Sequence, residues 1–140
     1  MSGDCLFCRI AAGAEPAQVV LDEAASLAFL DTRPLFPGHV LVVPRVHHPT
    51  LVDLPEADVG PLFATVRRLA RAMEEGLGAA GSFVAVNNRV SQSVAHLHVH
   101  VVPRNRKDGL RGFFWPRQRY RDDAHAVEVA ATLRRALGPP

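Results

Sequence analysis

Short apolar runs, bounded by proline and polar turn residues, recur along the chain and predict strands. The predicted strands are residues 17–21, 26–31, 39–43, 82–86 and 96–102. Asp22 and Glu23 join the first two, which is typical of a hairpin, while Pro44 and Pro103 end the third and the fifth. Several of the connections are short, and this favours a mostly antiparallel sheet of about five strands.

Two longer segments have the helical period instead. Between Pro61 and Leu77, apolar residues recur at i, i+4 and i+7 along one face, while charged residues lie mostly on the other. Pro61 suits the first turn of a helix, and residues 122–137 form a second helical segment. The sequence therefore predicts an α+β fold with one long helix and a C-terminal helix.

The composition is that of one soluble domain. The chain has 140 residues, 48% hydrophobic and 21% charged, so it can close a hydrophobic core and is not intrinsically disordered. No apolar run approaches the ~18–20 residues of a membrane span. No basic and apolar leader precedes Cys5. We therefore expect a cytoplasmic protein that does not bind a membrane.

The net charge of +2 is unevenly divided along the chain. Residues 104–121 contain seven basic residues and one acidic residue, a net +6, which leaves −4 for the rest. A segment this basic indicates either a partner that carries phosphates or a solvated loop. Arginine and aromatic residues interleave there, as in proteins that bind nucleic acid, but we do not expect nucleic acid to be the partner.

Cys5 and Cys8 form a Cys-x-x-Cys motif and are the two cysteines of the chain. A thioredoxin-like redox pair needs a strand before it, and the four residues before Cys5 are too few to form one. We favour half of a zinc site, completed by ligands from elsewhere in the chain.

Three histidines alternate with apolar residues in the last predicted strand. Because successive side chains of a strand point to opposite faces, His96, His98 and His100 share one face. Such a set suits either a zinc site with an open position or a histidine nucleophile. The outer two lie about 13 Å apart along a regular strand, too far to share one ion. The pattern favours His98 as a nucleophile that attacks phosphorus while neutral.

The segment from Gln92 to Arg104 resembles the signature of the histidine triad (HIT) family, a Q-x-V-x-H-x-H-x-H pattern followed by apolar residues and Pro-Arg. Residues 5–10 resemble the opening of many bacterial members, which have a C-x-F-C-x-I pattern there. Residues 29–31 and 37–44 resemble the intervening strands of the family.

The resemblance covers roughly residues 5–104 and implies a HIT-like fold. It implies a single HIT domain over residues 1–140, whose core is 5–104 and whose remainder, 105–140, holds the basic and aromatic segment and the C-terminal helix. Members usually pair into two-fold dimers, so we expect a homodimer.

The family's chemistry implies roles for the histidines. His98 would attack the α-phosphate of a purine nucleoside phosphoramidate or dinucleoside polyphosphate and form a nucleotidyl-histidine intermediate. His100 would contact and position the phosphate, and His96 would orient His98. His39 matches a further active-site histidine that supports this cluster. The alternative function is a nucleotide-binding scaffold or sensor with little catalysis.

The resemblance also implies which residues hold the nucleotide. Asp31 would accept hydrogen bonds from the ribose hydroxyls, as a carboxylate does well. The residues implied to enclose the base are Phe7, Phe29 and Leu30. Those implied to contact the phosphate are Gln92 and Ser93, with Asn87 or Asn88 near the bond that breaks.

Some bacterial members bind structural zinc, and their ligands map to Cys5, Cys8, His47 and His96. This Cys₂His₂ set would close a tetrahedral site. His48 is the alternative to His47 as the third ligand.

Two segments depart from the family pattern. The loop from Asn87 to Gln92 is about three residues short, and Ser91 stands where many members have glycine. Residues 108–117, with Arg111 and Arg117, lie beyond the signature. They would bind either the leaving-group side of the substrate or a second subunit, and the sequence leaves both interpretations open.

Overall fold

The computed structural model describes residues 4–110 and 117–139. The chain forms two compact units, Met1–Asp108 and Gly109–Pro140. The elements of the first unit are α1 (Leu6–Ala11), β1 (Val19–Asp22), β2 (Ser26–Leu30), β3 (Val40–Pro44), a 3-10 turn (Leu51–Asp53), α2 (Glu56–Leu77), β4 (Gly81–Val86) and β5 (Val99–Arg104). The second unit contains α3 (Asp123–Leu137). The prediction that residues 1–140 are one domain stays a prediction.

The five strands form one antiparallel sheet in the order β1-β2-β3-β5-β4. β1 and β2 are the predicted hairpin, whose pairing is irregular between Val19 and Leu21. β3 is the central strand, and its pairing with β5 places Leu41 opposite His100. The predicted α+β class with a five-stranded antiparallel sheet is confirmed.

Both faces of β3 are covered, since all five of its residues are buried. Val40 and Val42 belong to the core cluster that includes the apolar face of α2. Leu41 and Val43 belong to a second cluster on the opposite face, where Phe7 of α1 packs. The two-residue period of a strand thus gives the sheet two cores, and the candidate site lies on the α1 side.

The long helix α2 begins at Glu56, five residues before the predicted start at Pro61. Glu56 and Asp58 place negative charge in the first turn, where the helix dipole favours it. Val59 packs against the core. Pro61 is therefore the sixth residue of the helix, beyond the first turn that the sequence predicted for it, and its missing N–H leaves one main-chain hydrogen bond of the helix unmade.

The last strand, β5, begins at Val99 instead of the predicted His96. The backbone before Val99 leaves the regular ladder because its polar groups bond elsewhere. The N–H of Leu97 donates to the main-chain oxygen of His48 (2.7 Å), and the ring of His98 bonds to the main-chain oxygen of His96 (2.8 Å). His96 and His98 therefore lie in an irregular approach to the strand.

Helix α3 confirms the predicted C-terminal helix. The carboxylate of Asp122 caps its first turn by accepting the N–H of His125 (2.8 Å). Arg111 and the other residues of 111–116 lie outside the described part of the chain, so the predicted role of that segment stays a prediction. Among the described residues, no helix is both long and apolar enough to cross a membrane.

Candidate active site and metal centre

The short helix α1 brings the two cysteines together. Cys5 is the N-cap residue, and its sulfur accepts the backbone N–H of Cys8 (3.4 Å). Between them, Phe7 is the buried residue of the helix. The sequence did not predict this helix, because cysteine is a weak N-cap signal and six residues are too few for a visible period.

Four predicted metal ligands converge beside α1. The side-chain donor atoms of Cys5, Cys8, His47 and His96 all lie within 4.8 Å of one another. The Nδ1 atom of His96 is 3.3 Å from the sulfur of Cys5, 3.4 Å from that of Cys8 and 3.2 Å from Nδ1 of His47. In a tetrahedral zinc site with bonds of about 2.0–2.3 Å, donor atoms lie roughly 3.3–3.8 Å apart. The four residues therefore fit a tetrahedral divalent ion, with no ligand missing.

The ring of His96 is oriented for this cluster by the main chain. Its Nε2–H donates to the carbonyl of Pro44 (2.8 Å), which leaves the lone pair on Nδ1. Burial lowers the pKa of His96, so the ring is neutral, as a ligand must be. Burial, together with the neighbouring Cys5 sulfur, raises the pKa of the Cys8 thiol to about 11. A bound cation would favour the thiolate instead.

The structure distinguishes between the two adjacent histidines. His47 places Nδ1 3.3 Å from the sulfur of Cys8. His48 lines a different and smaller cavity, beside Arg45 and Asp58. The geometry therefore brings His47, and not His48, to the cysteines.

A cavity of about 420 Å³ opens on the α1 face of the sheet. One part of its wall is apolar, and the residues of this part include Leu6, Phe7, Ile10, Phe29, Leu30, Leu41 and Val94. The polar part includes Asp31, Ser93, His98 and His100. An apolar compartment that ends in imidazoles and a carboxylate suits a ligand with one flat apolar end and one anionic end.

The main chain sets the tautomer of His98. Its Nδ1 lies 2.8 Å from the carbonyl oxygen of His96, and a carbonyl accepts only, so Nδ1 carries the proton. The lone pair is therefore on Nε2. The ring is buried, 3% exposed, and the ring of Phe7 lies edge-on to it at 5.1 Å between centroids. Few rotations are open to a ring confined in this way.

A chain of two hydrogen bonds runs from the backbone of Leu35 through His39 to His100. The backbone N–H of Leu35 donates to Nδ1 of His39 (3.0 Å), so the Nε2 of a neutral His39 carries the proton. That Nε2 lies 2.9 Å from Nδ1 of His100 and 3.7 Å from a carboxylate oxygen of Asp31. His100 therefore accepts at Nδ1 and presents Nε2–H as a donor.

Burial keeps both members of this chain neutral. Burial, together with repulsion by His98 and His39, lowers the pKa of His100 to about 4. Burial also lowers the pKa of His39, an effect that Asp31 partly offsets. Neutral rings are required for the directional donor and acceptor roles described above.

Two of the predicted phosphate ligands, both in the loop after β4, make hydrogen bonds to the main chain. Asn88 accepts the backbone N–H of Leu51 (2.8 Å) through its side-chain oxygen. Gln92 accepts the N–H of Arg89 (2.8 Å) and donates to the carbonyl of Pro49 (2.6 Å), so its amide supports the loop. Among the described residues that line the cavity, Asn87, Asn88 and Gln92 do not occur, whereas Ser93 does.

Comparison with known proteins decides the family. The sequence model of the HIT domain matches residues 12–107, more than half of the chain. The chain belongs to the HIT family.

Named relatives of this HIT protein are hydrolases. It is 31% identical over 144 residues to an adenylylsulfatase from Arabidopsis thaliana, in a match covering 98% of the chain and 71% of the relative. It is 32% identical over 114 residues to an adenosine 5'-monophosphoramidase from Schizosaccharomyces pombe, covering 80% and 83%. A Zn-bound histidine triad family protein from Mycobacterium smegmatis superposes with a TM-score of 0.75 at 37% identity, covering 97% of this chain and 99% of that one.

Several groups that shape the site in this HIT protein were missed by sequence reasoning. They are mainly backbone groups: the carbonyls of Pro44 and His96 and the N–H of Leu35. Every residue carries such groups, so no residue type marks them. Leu6 and Ile10 of the cavity wall had a signal, since they flank the Cys-x-x-Cys motif in a family-like segment.

Proposed function

We propose that this HIT protein is a nucleotide hydrolase or transferase that attacks the α-phosphate of purine nucleoside phosphoramidates or dinucleoside polyphosphates. The observation that carries the proposal is the tautomer of His98, whose Nε2 lone pair belongs to a buried ring in the wall of the cavity. The resemblance to an adenylylsulfatase and to an adenosine 5'-monophosphoramidase supports the same chemistry.

The shape and polarity of the cavity match a nucleoside monophosphate unit. A purine would lie against Phe7, Phe29 and Leu30, because a flat ring gains most from an apolar and aromatic wall. Asp31, at the end of β2, would accept hydrogen bonds from the ribose hydroxyls. These positions would direct the α-phosphate to the polar part of the wall, near His98.

The reaction would proceed in two displacements. The Nε2 lone pair of His98 forms a bond to the α-phosphorus, and the bond to the leaving group breaks. In a phosphoramidate the leaving group is an amine, which departs with a proton from solvent. Water then attacks the phosphorus, the P–Nε2 bond breaks and its electron pair returns to His98, while the water proton goes to solvent. The products are the nucleoside monophosphate and the amine.

The neighbouring groups of His98 suit the charge changes of this sequence. The ring becomes positively charged while it carries the nucleotidyl group, and the carbonyl oxygen of His96, 2.8 Å from Nδ1, accepts the Nδ1–H and stabilises that charge. The phosphoryl oxygens carry negative charge, which the Nε2–H of His100 would stabilise by donating a hydrogen bond. Neither group needs to reorient during the reaction.

The His98→Asn variant tests the role of the nucleophile. With adenosine phosphoramidate as substrate, we expect kcat to fall by more than about a thousandfold, with nucleotide binding retained. The wild-type protein, mixed with substrate labelled on the α-phosphorus and quenched in alkali, should carry label on His98. His125 in α3, far along the chain from the triad, provides the matched control as His125→Asn.

Two outcomes separate the competing functions. If His98→Asn releases AMP at the wild-type rate, His98 is not the nucleophile. If the wild-type protein binds AMP in the cavity but turns over none of adenosine phosphoramidate, adenylyl sulfate and diadenosine tetraphosphate, the scaffold or sensor function replaces the hydrolase. The order of kcat/KM among these three substrates would define the leaving group that this HIT protein prefers.

A further inference from the structure

Helix α1 belongs to both sites. Cys5 and Cys8 belong to the metal-binding cluster, while Leu6 and Phe7 line the nucleotide cavity. A helix of six residues is too short to be stable alone, so its position depends on tertiary anchors. Within the described residues, the cysteines anchor one side of the helix and buried Phe7 the other.

Phe7 connects the cluster to the nucleophile. Its ring contacts His96 at 5.9 Å and His98 at 5.1 Å between centroids, with interplanar angles of 72° and 84°. It also packs edge-on against Phe29, with 5.3 Å between the ring centroids, and this contact limits its movement. Since Phe7 lies between two residues of the cluster in sequence, a displacement of the cysteines would displace this ring from His98.

The main chain provides a second connection. The ring of His96 belongs to the metal-binding cluster through Nδ1, and the carbonyl oxygen of the same residue accepts the Nδ1–H of His98. The orientation of His96 thus decides where the acceptor for His98 lies. The Nε2–H of His96 is held by Pro44, so the ring has fixed partners on both sides.

We propose that the cluster of Cys5, Cys8, His47 and His96, when it holds a metal ion, positions the nucleophile His98, and that Phe7 is the positioning residue between them. The consequence for catalysis rests on the function proposed above. The consequence for the ring of His98 does not, because its tautomer and mobility can be observed without substrate.

Nuclear magnetic resonance of protein labelled with ¹⁵N in the histidine rings measures the tautomer directly. Five samples are compared at pH 8: zinc-loaded wild type, wild type stripped by a chelator and kept reduced, the stripped protein reloaded with zinc, His47→Ala and Phe7→Leu. His47 lines a groove on the cluster side and is not part of the nucleotide cavity wall. Leu62→Ala, on the buried face of α2, is the control for a general loss of stability.

We expect one sharp set of signals with Nδ1–H for His98 in zinc-loaded wild type. In stripped wild type and in His47→Ala, the two tautomers should interconvert, with kcat lowered by about 10- to 100-fold, as for other residues that support a site indirectly. Zinc should restore the stripped wild type but not His47→Ala. Phe7→Leu should keep about one zinc per chain and still lose the single tautomer, whereas Leu62→Ala should keep both.

A single Nδ1–H tautomer and an unchanged kcat in stripped, folded wild type would overturn the proposal. A single tautomer in Phe7→Leu would exclude Phe7 as the connection. If the zinc-loaded protein hydrolyses no nucleotide while the tautomer follows zinc as expected, the proposed function fails and the positioning of His98 stands.

Discussion

A hydrogen bond of 2.9 Å joins Nε2 of His39 to Nδ1 of His100. His39 lies just before β3 and His100 lies within β5, so the pairing of these strands brings them together. Because the backbone N–H of Leu35 occupies Nδ1 of His39, the proton belongs to His39. His100 therefore has only one way to face the cavity, with Nε2–H as a donor.

The His39→Phe variant tests this donor chain. It keeps a ring of similar size but removes the donor, so Nδ1 of His100 is left without its partner. The loss of a buried hydrogen bond costs about 1–3 kcal/mol, which corresponds to a fall in kcat of about 5- to 150-fold. His39→Gln retains an N–H donor and should lie closer to wild type. Equal kcat values for His39→Phe and wild type would show that His100 is oriented by other contacts.

The stability of the protein should fall in mild acid because of His100. Its pKa is lowered from 6.5 to about 4 on folding, so the unfolded chain binds the proton first. The stabilising contribution is complete above pH 6.5 and is lost as the pH falls towards 4, reaching about 3 kcal/mol. The charged or titratable neighbours are His98, His39 and Asp31.

Urea unfolding of wild type and His100→Asn between pH 7 and pH 4.5 measures this contribution. The free energy of unfolding should decrease more steeply with falling pH in the wild type. Protonation of the metal ligands affects both proteins, so it cancels in the difference. Parallel curves would contradict a lowered pKa for His100.

Asp31 should set the preference for ribose over 2'-deoxyribose. Its Oδ1 accepts the backbone N–H of Arg33 (2.9 Å), which orients the carboxylate in the cavity wall. In Asp31→Asn we expect kcat/KM to fall by about 10- to 100-fold for the adenosine substrate, because a charge-assisted hydrogen bond is lost. The 2'-deoxyadenosine substrate should change much less. A parallel fall for both substrates would assign Asp31 to the support of His39 instead.

Gly38 should resist substitution because of its backbone and its neighbours. It has a φ of +101°, and an added Cβ would lie 2.6 Å from Cδ1 of Leu77 and 3.3 Å from Cγ of Pro103. Gly38→Ala should therefore lower the free energy of unfolding by about 1–3 kcal/mol and disturb His39, the next residue.

Gly76→Ala is the matched control for Gly38→Ala. Gly76 lies in α2 with no atom within 4 Å of an added Cβ, so alanine should stabilise the helix by about 0.5–1 kcal/mol. Urea unfolding measures both variants. A Gly38→Ala protein as stable as wild type would show that the turn before β3 can relax.

The positions of the strands were predictable, because a strand that is buried on both faces, such as β3, has a nearly continuous apolar run. The beginning of β5 was not. The triad reads as a regular strand, but His96 joins the cysteines, His98 bonds to the main chain and His100 bonds to His39. Alternation in the sequence predicts which face a residue occupies and carries no information about the partner it meets there.

The cluster of Cys5, Cys8, His47 and His96 was predicted from resemblance, and the structure brings these residues together. The hydrogen bonds of the loop after β4 were harder to predict. Gln92 is part of the signature, yet its side-chain amide bonds to the main chain of Arg89 and Pro49, a local arrangement that the residue type does not reveal. Ser91, where many members have glycine, adopts a φ of +58°, which glycine would adopt at lower cost.

The double burial of β3 also determines where this protein can adapt to a ligand. Its backbone amides are paired to β2 on one side and β5 on the other, so they should exchange with solvent only when the whole fold opens. Leu41, which lines the cavity, belongs to this slowly exchanging strand. The part of the cavity wall that β3 forms should therefore stay rigid, and adjustment to the size of a ligand should come from parts of the wall outside the sheet, such as the six-residue helix α1.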